Sequence, residues 1–303
     1  MKAVEIVEVG PRDGLQNEAD IISTDNKLSL INKALDAGVR RIEVASFVHP
    51  KLVPQMADAE AVIEGLAVRD DVTYIGLVLN KRGYMRAESC RDIGGGVDEI
   101  GCVAVASDGF GQKNQGQSSK ESVDVSKDII RLAQRDGLSA QVTISTAFGC
   151  PFDGPTDPQH VVDMVKDLAQ AQPREIAIAD TIGVATPFEV KRLFEMIKEA
   201  APHVNLRAHF HNTRNTGIAN AWAAYEAGVH ILDSSLGGLG GCPFAPKATG
   251  NIATEDLAYM LKQSGVDCGL DLERLISSVL WLETIMGRKT PGMLAQAGDF
   301  PTP

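Results

Sequence analysis

A chain of 303 residues, 44% hydrophobic and 23% charged, has room for one large domain or two ordinary ones. Its formal net charge of −11 argues against nucleic acid or an anionic membrane surface as a partner, since both demand a basic face. No stretch approaches the ~18 apolar residues of a membrane span, and the chain enters the strand-like run VEIVEV within three residues, so a cytoplasmic protein is expected. The cysteines, Cys90, Cys102, Cys150, Cys242 and Cys268, form no CxxC pair, which speaks against a disulfide framework or a structural zinc site. An anionic small molecule would have to meet local positive charge, available at Arg12, Lys113, Arg207, Arg214, Lys247 and the Arg288-Lys289 pair.

In chain order, apolar runs of strand length alternate with amphipathic stretches. Strands are expected over residues 4–9, 41–46, 72–79, 97–105, 140–147, 175–179, 206–210 and 229–234. Helices are expected over 24–37, 56–66, 83–93, 120–135, 158–171, 187–200, 217–227 and 254–263. Asp157 before Pro158 and Thr186 before Pro187 read as helix N-caps with proline in the first helical position. Gly38, Gly137 and Gly228 read as glycines that end a helix just ahead of a strand. Eight β-then-α units in about 260 residues match the rhythm of a (β/α)8 TIM barrel, an α/β fold. A doubly wound sheet is the alternative, but no GxGxxG follows the first strand. We read residues 1–265 as the catalytic barrel and 266–303 as a short C-terminal helical extension, with a helix over 272–285 packing on one end.

In such a barrel the chemistry sits at the carboxyl ends of the strands. Strand 1 runs into Gly10-Pro11-Arg12-Asp13-Gly14-Leu15-Gln16; strand 2 contains Glu43 and ends with Ser46; strand 6 ends in Asp180-Thr181. Strand 7 ends in His209-Phe210-His211-Asn212, and two histidines spaced i, i+2 on a strand face the same way. Strands 7, 8 and 1 are neighbours in a closed barrel. Asp13, His209, His211 and Asn251 would then supply two imidazoles and two oxygens, a set that suits octahedral Mg2+ or Mn2+ better than structural zinc. Arg12 is either a salt-bridge residue paired with Glu43 or a fixed cation for a developing oxyanion, and both can hold together. Asp180 is either an acceptor on the substrate side or a partner of the sixth helix's N-terminus.

After strand 8 comes GGLGGCPFAPKATGN, residues 237–251, with five glycines and two prolines around Cys242. No helix or strand interior tolerates that composition, so it is a shaped loop. Its thiol is either a catalytic acid or nucleophile, or a buried inert cysteine.

Taken together, VGPRDGLQNE, IEVASFVHPKLVPQMAD, DTIGVATP, HFHN and GGLGGCPFAPKATGNIATEDLAYML resemble 3-hydroxy-3-methylglutaryl-CoA lyase and its close relatives over nearly the whole chain. The resemblance implies a TIM barrel that uses Mg2+ or Mn2+ to cleave 3-hydroxy-3-methylglutaryl-CoA into acetyl-CoA and acetoacetate, in leucine degradation and ketone-body formation. It also implies an acyl-CoA substrate and a homodimer. Its pattern makes Asp13, His209, His211 and Asn251 the metal shell and Glu43 its support. Arg12 would stabilise the thioester enolate, Cys242 would act as the thiol acid, His209 would also carry a proton, and Asp180 would belong to the catalytic set. Arg12, Gln16, Ser46 and Thr181 would contact substrate, and Arg288 and Lys289 would help hold coenzyme A, though Gly287 stands where asparagine is expected. Arg214, which stands where these lyases carry tyrosine, is expected on its charge to contact a substrate carboxylate or a coenzyme A phosphate.

Where these lyases read HDTYGQ after the strand 7 histidines, this chain reads His211-Asn212-Thr213-Arg214-Asn215-Thr216. The departure bears on substrate identity, and a related ester such as citramalyl-CoA or a longer-branched glutaryl-CoA is the alternative. Isopropylmalate and homocitrate synthases share the RDG-Q start and the HxHN strand but lack the cysteine loop, and they carry a further domain for which the chain has no room. A barrel that binds acyl-CoA or metal without catalysis is a third reading, which Arg12, Asp13, Cys242 and Asn251 together oppose.

Overall fold

Eight parallel strands close into a barrel in the computed structural model, which describes residues 2–241 and 250–301. The strands are β1 (Glu5–Glu8), β2 (Arg41–Ser46), β3 (Thr73–Leu77), β4 (Glu99–Val105), β5 (Ser139–Ser145), β6 (Ile176–Asp180), β7 (Leu206–Phe210) and β8 (Ile231–Ser234). Each strand pairs with its sequence neighbours, and β1 pairs with β8 to close the circle. The (β/α)8 architecture read from the alternation is therefore the one present.

The helices between strands are α1 (Thr24–Asp36), α2 (Ala59–Gly65), α3 (Lys81–Glu88), α4 (Ser119–Arg135), α5 (Pro158–Ala169), α6 (Pro187–Ala200), α7 (Gly217–Glu226) and α8 (Thr254–Gln263). Their starts follow the capping chemistry. Asp157 accepts the Gln159 amide at 2.9 Å, and Thr186 forms a capping box with Glu189, each with proline in the first turn. Gly38 ends α1 at φ +104°, and a Cβ there would sit 2.4 Å from the Gly269 carbonyl oxygen, so only glycine fits. A ninth helix, α9 (Leu272–Met286), packs against α1 and α8. Among the described residues no helix is long and apolar enough to cross a membrane.

Some local boundaries differ from expectation. The third helix begins earlier and ends earlier than 83–93: the Asn80 side chain caps it by accepting the Gly83 amide at 2.9 Å, and Gly94 and Gly96 adopt positive φ beyond its end. The chain also builds structure in the upper loops that no periodicity announced: a helix at Asp108–Asn114 after β4 and a two-stranded hairpin pairing Gly149–Cys150 with Gly154–Pro155 after β5.

Apolar side chains such as Ile42, Ile100, Val142, Ile178 and Leu232 fill the layer between strands and helices. Inside the barrel the lining is mixed. Val7, Val9 and Ile75 form a small apolar cluster, while Arg41, Glu99, Gln141, Glu175 and Arg207 meet across the lumen. That polar interior departs from the branched aliphatic layers usual in such barrels, and it leads upward to the site.

Candidate metal and active site

The first turn after β1 shapes the site. Gly10–Gly14 forms a π-helical turn in which both the Asp13 and Gly14 amides reach the Val9 carbonyl, at 2.7 and 3.1 Å. Such turns are rare and recur at functional sites. This one presents Arg12 and Asp13 side by side over the barrel mouth. Glu8 anchors it from below, accepting from the Gly10 amide at 2.8 Å, from the Leu236 amide at 2.9 Å and from the Thr254 hydroxyl at 2.6 Å. One buried carboxylate thus ties the loop after β1 to the segment after β8.

Arg12 donates through Nε to Glu43 Oε2 at 2.7 Å and through Nη1 to Asp13 Oδ1 at 2.6 Å. Both alternatives for Arg12 remain compatible: it is paired with Glu43, and it faces the cavity. Asp13 Oδ2 accepts from Asn251 Nδ2 at 2.7 Å and lies 3.9 Å from His211 Nε2. Asp13, His209 and His211 each offer a ligand atom within 4.8 Å of the others. The two imidazole centroids are 5.2 Å apart. Asn251 is held at the group: its Nδ2 also donates to the Leu239 carbonyl at 2.9 Å, and an isolated bridge pairs it with His211. A Cβ on Gly240, at φ +117°, would fall 2.4 Å from that Nδ2.

Electrostatics sort these groups. Burial works to raise the Asp13 carboxyl, but Arg12, the two histidines and the Asn251 hydrogen bond outweigh it and hold the group below its ordinary value. Burial lowers His211 to about 4, with the neighbouring His209 adding to the effect, so its imidazole is neutral at physiological pH. For His209 burial acts downward, yet the Asp233 carboxylate outweighs it and the net direction is up. An ionised carboxylate beside two imidazoles and an amide, gathered at one point, is a donor set that fits a hard divalent cation such as Mg2+ or Mn2+.

A cavity opens beside this cluster. Its lining includes the charged and polar Arg12, Asp13, Gln16, Glu43, His209, His211 and Asp233, the hydroxyls of Thr143, Ser145 and Thr181, and the apolar Leu77, Leu79, Val103 and Phe110. Thr181 is fixed by accepting the Thr146 amide at 2.8 Å, and Thr146 itself holds φ +54°, a strained value for a β-branched residue.

Other expected site residues lie elsewhere. Ser46 is fully buried and outside the cavity lining. Asp180 spends its two oxygens on the Val184 and Ala185 amides, each at 2.9 Å, in the turn that leads into α6; burial raises its carboxyl, against those hydrogen bonds. These amides precede the N-cap Thr186, so Asp180 braces the turn ahead of the helix, and it does not line the cavity. Arg214 Nη1 donates to the carbonyls of Ile182 and Gly183 at 3.0 and 2.8 Å. Arg288 grips both oxygens of Glu18 at 2.7 Å, and Lys289 pairs with Glu283 at 2.7 Å. Among the cations considered for an anionic ligand, Lys113 sits 3.7 Å from the Phe152 ring centroid and Arg207 is wholly buried beneath the cavity. Cys242 and Lys247 lie outside the described residues; Gly241, which precedes Cys242, has its carbonyl held by Asn17 Nδ2 at 2.7 Å.

Two residues that motif reading passed over now stand out. Asp233 on β8 receives His209 Nδ1 at 3.0 Å; period-two alternation along residues 229–234 would have placed it inward. Phe110 comes from the unannounced helix after β4.

Comparisons with known proteins concern the chain as a whole. The HMGL-like family model matches residues 3–279. The chain is 42% identical to an (R)-citramalyl-CoA lyase of Chloroflexus aurantiacus, over 98% of this chain and 96% of that one. It is 39% identical to the hydroxymethylglutaryl-CoA lyase YngG of Bacillus subtilis, over 96% and 95%. Among solved structures, an HMG-CoA lyase from Acinetobacter baumannii in complex with coenzyme A and 3-methylmalate superposes with a TM-score of 0.92 at 38% identity, covering 99% of this chain and 98% of that one. In sequence and in fold alike, the chain belongs to the HMGL-like family.

Proposed function

We propose that this chain is a carbon–carbon lyase that cleaves 3-hydroxy-3-methylglutaryl-CoA, or a closely related 3-hydroxyacyl-CoA, to acetyl-CoA and a ketone with the help of Mg2+ or Mn2+. The family supports lyase chemistry. The observation that carries the rest is the convergence of Asp13, His209 and His211 within 4.8 Å, beside Arg12 at the mouth of the cavity.

A divalent cation would be held by Asp13, His209, His211 and Asn251 and would supply Lewis acidity to the substrate. The residues do the remainder. His209 accepts the proton of the tertiary alcohol in the step where its Nε2 faces that oxygen in place of the cation, which Asp13, His211 and Asn251 would keep; the C2–C3 bond breaks as the C3–O bond becomes a carbonyl, and the electron pair goes to C2. Arg12, kept in place by Glu43, faces the charge that gathers on the thioester oxygen. Cys242 returns a proton to C2, for which a thiol of pKa ~8.5 is suited near neutral pH. Leu77, Leu79, Val103 and Phe110 give the acyl portion a dry wall and limit water near the enolate. The reading includes a homodimer and a cytoplasmic location.

Citramalyl-CoA is the second reading, favoured by the 42% identity to a lyase named for that ester. The test is kcat/KM across a panel of 3-hydroxy-3-methylglutaryl-CoA, citramalyl-CoA and longer-branched homologues, with acetoacetate and pyruvate quantified separately. Acetoacetate from the first ester supports the main reading; pyruvate from the second at higher kcat/KM shifts the assignment to citramalyl-CoA; no acetyl-CoA from any ester removes both.

A further inference from the structure

The charged groups inside the barrel form a continuous column that the chemistry above does not use. Arg41 on β2 donates to Glu175 through Nη1 at 2.9 Å and approaches its other oxygen through Nη2 at 2.8 Å. Glu175 Oε1 lies 3.4 Å from Arg207 Nε. The same Nε is 3.3 Å from Asp233 Oδ1, while Arg207 Nη2 donates to Gln141 Oε1 at 2.9 Å. Asp233 Oδ2 then meets His209 Nδ1 at 3.0 Å. Arg207 stands two residues before His209 on the same inward face of β7, and both it and Asp233 are buried.

The physics of this arrangement is specific. A carboxylate only accepts, so its contact with His209 places the ring hydrogen on Nδ1 and leaves the Nε2 lone pair for a cation. A carboxylate held by one oxygen alone can still rotate about its bond to Cβ. Arg207 Nε, 3.3 Å from the second oxygen, makes no hydrogen bond to it but sets a positive charge beside it, and that charge favours one orientation of Asp233 and so one direction of the imidazole. Burying a guanidinium is costly unless it is paired, and replacing such pairs by apolar packing is often neutral or stabilising. Fold stability alone therefore does not account for an arginine at 0% exposure on this strand.

We infer that Arg207 is a positioning residue for the metal site, acting through Asp233 on the His209 imidazole. This rests on the metal reading given above. It makes the barrel interior the support of the site, with Arg207 beneath the cavity and out of reach of substrate.

The test is Mn2+ binding to the metal-stripped protein, followed by electron spin resonance, with thermal unfolding as a check on folding. Arg207→Leu and Asp233→Asn are expected to weaken Mn2+ binding about 10- to 100-fold, the range typical for partners of metal-bound histidines. Arg207→Lys, which keeps a cation, should recover most of that loss. In turnover, the Mn2+ concentration for half activity should rise more than kcat at saturating Mn2+ falls. Should Arg207→Leu fail to fold, the paired Glu175→Gln/Arg207→Gln variant, which leaves no lone charge between those two positions, gives the same reading. A folded variant lacking the Arg207 charge that binds Mn2+ as tightly as wild type overturns the inference. A wild-type protein that binds no Mn2+ instead removes the metal reading on which it depends.

Discussion

A single oxygen of Glu43, Oε2, holds Arg12 through Nε at 2.7 Å and Nη2 at 2.5 Å, so the guanidinium is fixed before any substrate arrives. A cation that needs no reorganisation is most valuable where charge develops during reaction. Arg12→Gln should therefore lower kcat about 10²- to 10³-fold with a much smaller change in KM. Steady-state kinetics decide it, and a change confined to KM would make Arg12 a substrate anchor instead.

Metal binding should respond separately to the two histidines. His209→Ala and His211→Ala are each expected to weaken Mn2+ binding by at least about tenfold while the barrel still unfolds cooperatively. Calorimetric titration checks this; wild-type affinity in both variants would dissolve the proposed ligand set.

The thiol makes a different prediction. Cys242→Ser should bind Mn2+ and unfold like wild type but lose about 10²- to 10⁴-fold in kcat, the usual scale for losing a proton-transfer group. Turnover near the wild-type rate would return Cys242 to the inert alternative.

Buried carboxyls around the loop bases predict a pH trend in stability. Burial raises Glu8 to about 7 and Glu255 to about 8, from an ordinary 4.5, against the hydrogen bonds each accepts. The folded protein keeps these protons above pH 4.5, where the unfolded chain releases them. Their contribution to stability is therefore present below that pH and is lost as pH rises toward about 8, at up to about 1.4 kcal/mol per pH unit for each group. Glu255→Gln should flatten the fall in Tm between about pH 5 and about pH 8; equal slopes in variant and wild type would contradict this.

Much of this molecule was legible before its structure. The (β/α)8 alternation, the proline-led caps and the His209/His211 pair follow from local periodicity and composition, and Asp13 and Asn251 followed from the circular order of a closed barrel. What escaped were relations that depend on register or on loop conformation. Asp233 meets His209 only because β7 and β8 pair with those positions side by side. The carbonyls that take Arg214 and the amides that take Asp180 are backbone groups of a turn, invisible in residue identity. Arg288, a cation at the surface, meets Glu18 270 positions away, a pairing that residue identity alone does not announce. For the same reason Arg214→Tyr is expected to leave the ranking of ester substrates unchanged, a result the kcat/KM panel would show directly.

The most direct test of the account is acetyl-CoA formation from 3-hydroxy-3-methylglutaryl-CoA and from citramalyl-CoA by one preparation, first stripped of metal with a chelator and then reconstituted with Mg2+ or Mn2+. The account predicts stoichiometric acetyl-CoA and ketone from at least one ester, abolished by stripping and restored by either ion. Undiminished turnover after complete stripping, or no cleavage of either ester by the reconstituted protein, would contradict it.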